Sequence, residues 1–267
     1  SFSGEGVLEA KGGEGGNTLK GGLGRIAIVG FAESTFTGQL TEAGSIFTQR
    51  AGTAGHLRLR DSTLTIAEGE TRAFSSFDVV PGSSATLYNR GVLAVDGDHL
   101  VIDSGVTLVQ DGIVRGLTRS SNWIGQLTIR SNALVTHSQS RTNGVQFQVL
   151  NTVTVERGGR IDVSGAGYLG AFQPGNLLGH YGQMPGPDGS PTIGSDSGAA
   201  GSHGTLGATG PRGGANSLYG SETAPSLLGS GGGVPFGAPQ GDRPVGGNGG
   251  GRIQIRARDF VIDGALR

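Results

Sequence analysis

Residues 100–108 read LVIDSGVTL, residues 127–135 read LTIRSNALV and residues 153–161 read VTVERGGRI. Residues 77–85, FDVVPGSSA, follow the same plan. Each stretch opens with an apolar residue and repeats one two positions later. A Gly or Asn stands five positions after the start, and a further apolar residue eight after it: Phe77/Val79/Gly82/Ala85, Leu100/Ile102/Gly105/Leu108, Leu127/Ile129/Asn132/Val135 and Val153/Val155/Gly158/Ile161. The starts lie 23, 27 and 26 residues apart. Alternating apolar residues put two side chains on one face of a strand. Gly and Asn tolerate positive φ, so the chain can turn a corner before the next strand. Repeated at this step, the unit is one coil of a solenoid that buries its inward residues only against the coils above and below.

The predicted fold is therefore all-β, a parallel β-helix. The alternative is an antiparallel β-sandwich, which also uses short alternating strands. Sandwich hairpins favour two-residue turns such as Asn-Gly, and before the Gly/Pro-rich segment Asn143-Gly144 is the only Asn-Gly pair. No segment sustains an i, i+3, i+4, i+7 apolar pattern, so almost no helix is expected. Three parts follow from composition. Residues 1–164 read as solenoid coils. Residues 165–251 hold 28 of the 54 glycines and nine of the ten prolines, and read as a Gly/Pro-rich loop lobe packed on the coils. Residues 252–267 read as terminal solenoid strand.

The lobe is not expected to be a flexible linker. It carries Tyr168, Leu169, Phe172, Leu177, Leu178, Tyr181, Leu218, Tyr219, Leu227, Leu228, Val234 and Phe236, more apolar content than a linker has. The absence of cysteine removes disulfides, thiolate metal sites and Cys nucleophiles. A net charge of −1 gives no basic footprint for nucleic acid, and no apolar run approaches the ~20 residues of a membrane span.

A second repeat joins the three parts: Gly24-Arg25-Ile26-Ala27-Ile28, Gly159-Arg160-Ile161-Asp162-Val163 and Gly251-Arg252-Ile253-Gln254-Ile255. The simplest reading is a turn glycine, an arginine at the corner and aliphatics entering the core; the functional one is an arginine row for acidic groups. With Gly12-Gly13-Glu14-Gly15-Gly16 before it and Phe36-Thr37-Gly38 after it, the first copy resembles the Gly-rich modules of very large bacterial cell-surface and secreted proteins. The long segment is similar to them too, through Ala166-Gly167-Tyr168, Ser202-His203-Gly204, Tyr219-Gly220-Ser221 and Gly249-Gly250-Gly251. The resemblance covers roughly half of the chain. It implies a β-helical, extracellular protein and brings no catalytic residue.

Candidate sites are sparse. Gly165-Ala166-Gly167-Tyr168-Leu169-Gly170 spells a dinucleotide fingerprint, but that motif needs a helix after it, and Ala171-Phe172-Gln173-Pro174-Gly175 does not build one. The five histidines, His56, His99, His137, His180 and His203, show no helical or hairpin pairing. A Ser-His-Asp triad would need convergence that spacing does not signal. Trp123, Tyr168, Tyr181 and Tyr219 are the candidate sugar-stacking rings. Asp188, Asp196 and Asp242 are the candidate calcium ligands, and no other cofactor is implied.

The expected function is a structural or adhesive module of an extracellular surface protein. The alternatives are a polysaccharide-acting β-helix enzyme and a passive carbohydrate-binding module. Residues 6–10, GVLEA, and 260–264, FVIDG, read as ordinary strands without a capping helix. They are expected to meet further copies or adjacent modules head to tail.

Overall fold

The computed structural model describes residues 2–4, 7–10, 24–31, 34–36, 39–41, 45–50, 54–211, 213–221, 223–235 and 244–267. The chain forms a β-solenoid of about five turns. One sheet stacks Ser62–Ile66, Ala85–Asn89, Val106–Gln110, Leu134–Thr136, Arg160–Ile161 and Ala265–Leu266. A second stacks Arg25–Phe31, Ser45–Arg50, Gly55–Leu59, Thr71–Val79, Val92–Val95 and Ile113–Gly116, and a third His99–Ile102, Gln126–Ile129, Thr152–Val155 and Asp259–Ile262. The only helical segment among the described residues is a short 3₁₀ turn, Asp96–Asp98.

The repeat that predicts the fold also sets its register. Leu100 pairs with Leu127, Leu127 with Val153 and Val153 with Phe260, while Ile102, Ile129, Val155 and Ile262 form the parallel row. Phe77, Leu100, Ile102, Leu127, Ile129, Val153 and Val155 are buried, and Val79 is half-buried. The corner residues Gly82, Gly105, Asn132 and Gly158 all have positive φ, between 59° and 85°. In the second strand Val135 faces Ile161, but Leu108 faces Leu87. Ala85 faces Val106. The first corner, Val80-Pro81-Gly82-Ser83-Ser84, is two residues longer than Asp103-Ser104-Gly105, which moves the match by one alternation. Where sheet meets corner, buried Asn89 donates to Gln110 at 3.0 Å and to the Ile113 carbonyl at 2.9 Å, and Gln110 donates to the Gly112 carbonyl at 2.7 Å. These amides occupy carbonyls that the tight turn leaves unpaired.

The register places Asp103, Arg130 and Glu156 at equivalent outward positions on successive coils, but they form a charge ladder only in part. Arg130 pairs with Asp103 at 3.0 Å, whereas the Glu156 carboxylate accepts from the Ser131 backbone N–H at 3.3 Å. The stack also reverses once. Ser45–Arg50 runs antiparallel to Gly55–Leu59, while Arg25–Phe31 runs parallel to Ser45–Arg50. The strands Arg25–Phe31 and Ser45–Arg50 are therefore not further coils of the same winding. A hollow of about 630 Å³ lies at the reversal, walled by Ile26, Phe47, Leu57, Leu59, Leu64 and Phe74.

The chain divides into two compact units. The first contains residues 1–135, 147–161 and 255–266; the second contains 136–146, 162–254 and 267. The second unit holds little strand. Gln183–Pro185 and Pro191–Ile193 form an antiparallel pair, and most of the remainder is joined by backbone hydrogen bonds outside any ladder. Tyr168 and Ala171 donate to Gly229 and Gly232; Gly229 and Gly232 donate to Gly250 and Gly247; Gly249 and Gly246 donate to Tyr168 and Ala171. Every bond lies between 2.8 and 3.0 Å, and the bonds recur three residues apart on all three segments. That is the period of an extended helix with three residues per turn, in which only glycine fits where axes approach. A Cβ at Gly249 would overlap the Gly229 carbonyl, and one at Gly231 the Leu169 carbonyl. No helix follows Gly165–Gly170; the Gly170 N–H bonds the Asn248 side chain at 2.9 Å.

The arginine repeat splits into two settings. Gly24 donates to the Ala10 carbonyl at 2.8 Å, and Gly251 donates to the Val163 carbonyl at 2.8 Å. The second bond closes the stem of the Gly-rich stretch 164–250; residues 11–23 lie outside the described residues. Arg160 instead lies in the first sheet, before its stretch begins. The three arginines therefore do not form one row.

Two stability predictions follow from packing. Leu127→Ala or Ile129→Ala should lower unfolding free energy by ~2–5 kcal/mol, and Val79→Ala by less, as read by denaturant titration. Gly249→Ala or Gly231→Ala should destabilise the second unit by at least ~1–3 kcal/mol through overpacking. Gly247→Ala, where a Cβ meets open space, should leave its hydrogen-exchange protection unchanged.

Candidate functional site

Strands Gly55–Leu59 and Thr71–Val79 run parallel with His56 opposite Ser76 and Arg58 opposite Asp78. Leu57, Leu59 and Phe77 turn into the core, so the alternate positions point outward and bring four polar side chains onto one face. His56 Nδ1 lies 2.6 Å from Ser76 Oγ, and His56 Nε2 lies 3.4 Å from Asp78 Oδ1. Arg58 grips both oxygens of the same carboxylate, Nε to Oδ1 at 2.9 Å and Nη2 to Oδ2 at 2.7 Å. A carboxylate facing Nε2 favours the tautomer with its proton there, which leaves Nδ1 to accept the Ser76 hydroxyl proton. Burial pushes the Asp78 carboxyl up, but hydrogen bonds and charge from His56 and Arg58 outweigh it and bring it to about 2. The same hydrogen bond raises Arg58, against the opposing effect of burial.

Sheet pairing is interrupted beside this cluster. Among the described residues no pairing joins Thr71–Val79 to His99–Ile102, which begins a separate sheet after the Asp96–Asp98 turn. Asp98 is held at that turn by Arg119 and accepts from it through both oxygens. A slot of about 40 Å³ lies at the break, bounded by Phe74, Ser76, Phe77, Leu93, His99 and Leu100. On the other side a polar groove of about 660 Å³ crosses the corners of successive coils and is lined by Arg58, Asp78, Ser83, Asp103, Ser104 and Asn132.

The residues singled out by sequence do not converge. Tyr168 is 1% exposed, so it offers no ring to a sugar; its place among the glycines is a core position. Burial also raises its hydroxyl pKa. Tyr219 is half-buried, donates to the Leu228 carbonyl at 2.6 Å, and is pushed up to about 12 by burial. Its ring meets His203 edge-on at 5.2 Å. Tyr181 stacks on His180 at 3.9 Å, and Trp123 is half-exposed in a short strand beside Gln148. Asp188 accepts from Ser190 Oγ at 2.6 Å and Asp196 from the Gly214 N–H at 2.8 Å, each engaged within its own loop. Asp242 lies outside the described residues. Among those residues no three His, Asp or Glu side chains group to hold a metal ion.

The last described coil is less covered than the coils before it. Its inner row, Phe260, Ile262 and Leu266, is 50%, 37% and 46% exposed, whereas Val153, Val155 and Ile161, in the same register one coil earlier, are all 0% exposed. No helix among the described residues is long and apolar enough to cross a membrane. No family model matches the chain, and no curated protein or solved structure shows significant similarity to it.

Asp78 links this cluster to acid stability. Its carboxyl is held below its ordinary 3.8, so its contribution is present above that value and is lost as pH falls through about 2. Asp78→Asn should flatten the stability change between roughly pH 4 and 2, measured by denaturation across that range.

Proposed function

We propose that the chain is a structural or adhesive module of an extracellular bacterial surface protein, which meets further copies or adjacent modules head to tail along the solenoid. The observation that carries this reading is the inner row that keeps one register from coil to coil through Leu100, Leu127, Val153 and Phe260. Such residues are buried by the coils next to them, and the open edge of a strand stack is a template for a further strand. A second copy meeting this edge through a different surface of its own makes a contact that does not close, so repetition builds a filament. The Gly-rich stretches that resemble bacterial surface modules support the extracellular setting.

The test is sedimentation velocity with negative-stain electron microscopy over a wide concentration range. Wild-type chain should form linear assemblies, and Phe260→Glu with Ile262→Lys should yield monomer with unchanged circular dichroism. A wild-type chain that stays monomeric at high concentration would remove the self-stacking reading.

A further inference from the structure

Ser76, His56 and Asp78 come from strands that the coil step sets side by side, and they reproduce the connectivity of an activated nucleophile. The hydroxyl is hydrogen-bonded to an imidazole, and the imidazole Nε2 lies 3.4 Å from a carboxylate oxygen that a bidentate arginine holds in place. Ser76 is exposed, so a substrate reaches it. The Asp78 carboxylate stays ionised well below neutral pH, which suits a group that must stabilise an imidazolium. The neighbouring break in sheet pairing leaves a strand edge without ladder bonds. Backbone N–H groups on such an edge are the donors that a developing oxyanion needs.

The geometry points to a carboxylic-ester hydrolysing site at Ser76 whose substrates are small O-acyl esters on hydroxyl-rich polymers. Ser76 Oγ attacks the ester carbonyl carbon while its proton passes to His56 Nδ1. The carbon–oxygen bond to the alcohol breaks, and His56 returns the proton to the departing alkoxide. Water then gives a proton to His56 and attacks acyl-Ser76. The carboxylic acid leaves, and the serine oxygen regains its proton. Asp78 stabilises the charged imidazole, and Arg58 is a positioning residue that acts through Asp78.

Two cavities select the substrate class. The slot at the sheet break has about 40 Å³ and mostly apolar walls, Phe74, Phe77, Leu93 and Leu100, which admits an acyl chain of only a few heavy atoms. The groove beside Arg58 and Asp78 sets carboxylates, serines and an amide around Val79, Val80 and Pro81, so it offers hydrogen-bonding partners for hydroxyls and an apolar floor for sugar ring faces. The solenoid repeat spaces these groups along a line, as an extended polymer requires.

The experiment uses the full chain with a fluorophosphonate probe, p-nitrophenyl acetate and p-nitrophenyl hexanoate. Peptide mass mapping should find the probe on Ser76. Acetate turnover should fall by about 10²–10⁴-fold in both Ser76→Ala and His56→Gln, while circular dichroism and melting stay as in wild type. Hexanoate should react at least about tenfold more slowly than acetate, since one excluded methylene in an apolar pocket already costs that much. Arg58→Lys should retain labelling with a shifted pH–rate profile, because its role is to hold Asp78. Equal acetate turnover in wild type and Ser76→Ala, or probe attached elsewhere, would overturn the proposal; equal rates on both esters would overturn the small-acyl assignment.

Discussion

Each inward side chain of this protein is buried by the side chain one coil away in the same register. The stack from Leu100 through Leu127 and Val153 to Phe260 is the clearest case. Register is kept because four successive coils turn this corner at a residue with positive φ, glycine in three cases and Asn132 in the fourth. A single slip would rotate the apolar row to the outer face. The same constraint explains where burial fails. Phe260 has the same partners below it as its predecessors but nothing above it among the described residues, so its exposure follows from the stacking rule and not from any local irregularity.

Glycine does two separate jobs. In the coils it supplies positive φ at corners. In the second unit it permits close approach, since the segments around Gly229, Gly249 and Tyr168 are joined by backbone bonds where a side chain would overlap a carbonyl. Ordering glycine costs more chain entropy than ordering any other residue. The compensation is that most backbone N–H groups in these segments gain a partner and the segments surround aromatic anchors such as Tyr168. The stem bond from Gly251 to Val163 shows how such a stretch attaches. Two adjacent extended segments are pinned by one N–H, and length between them is unconstrained.

The coil repeat was legible because burial here is periodic. Three apolar positions and a corner residue in each of four segments were enough to set strands, turns and most of the register. The slip at Ala85 arose because a five-residue corner and a three-residue corner both present a glycine, and spacing from the glycine alone does not separate them. The cluster at His56 was not legible. Ser76 precedes the first repeat start by one residue, and His56 lies in the coil before it, where the template had no match. Tyr168 read as a surface ring because its neighbours are glycines; their lack of side chains is the reason it can sink among them. A signal for the second unit was present locally: Gly198, Gly201, Gly204, Gly207, Gly210 and Gly213 fall at every third position, a period obscured by composition counted over the whole chain.

Outward positions of a solenoid are nearly independent of its stability, because burial is settled by the alternate residues. His56, Ser76 and Asp78 could therefore be assembled without disturbing Leu57, Leu59 or Phe77. Exposed side chains on an intact sheet are poorly suited to chemistry, since the backbone donors are spent on the ladder and no pocket forms. The interruption between Thr71–Val79 and His99–Ile102 changes both conditions at one place. The Asp96–Asp98 turn, anchored by Arg119, sets the next strand apart, opens a slot and frees a strand edge beside Ser76. A regular coil at that position would have closed the ladder, and the same three side chains would then be no more than an outward-facing polar row.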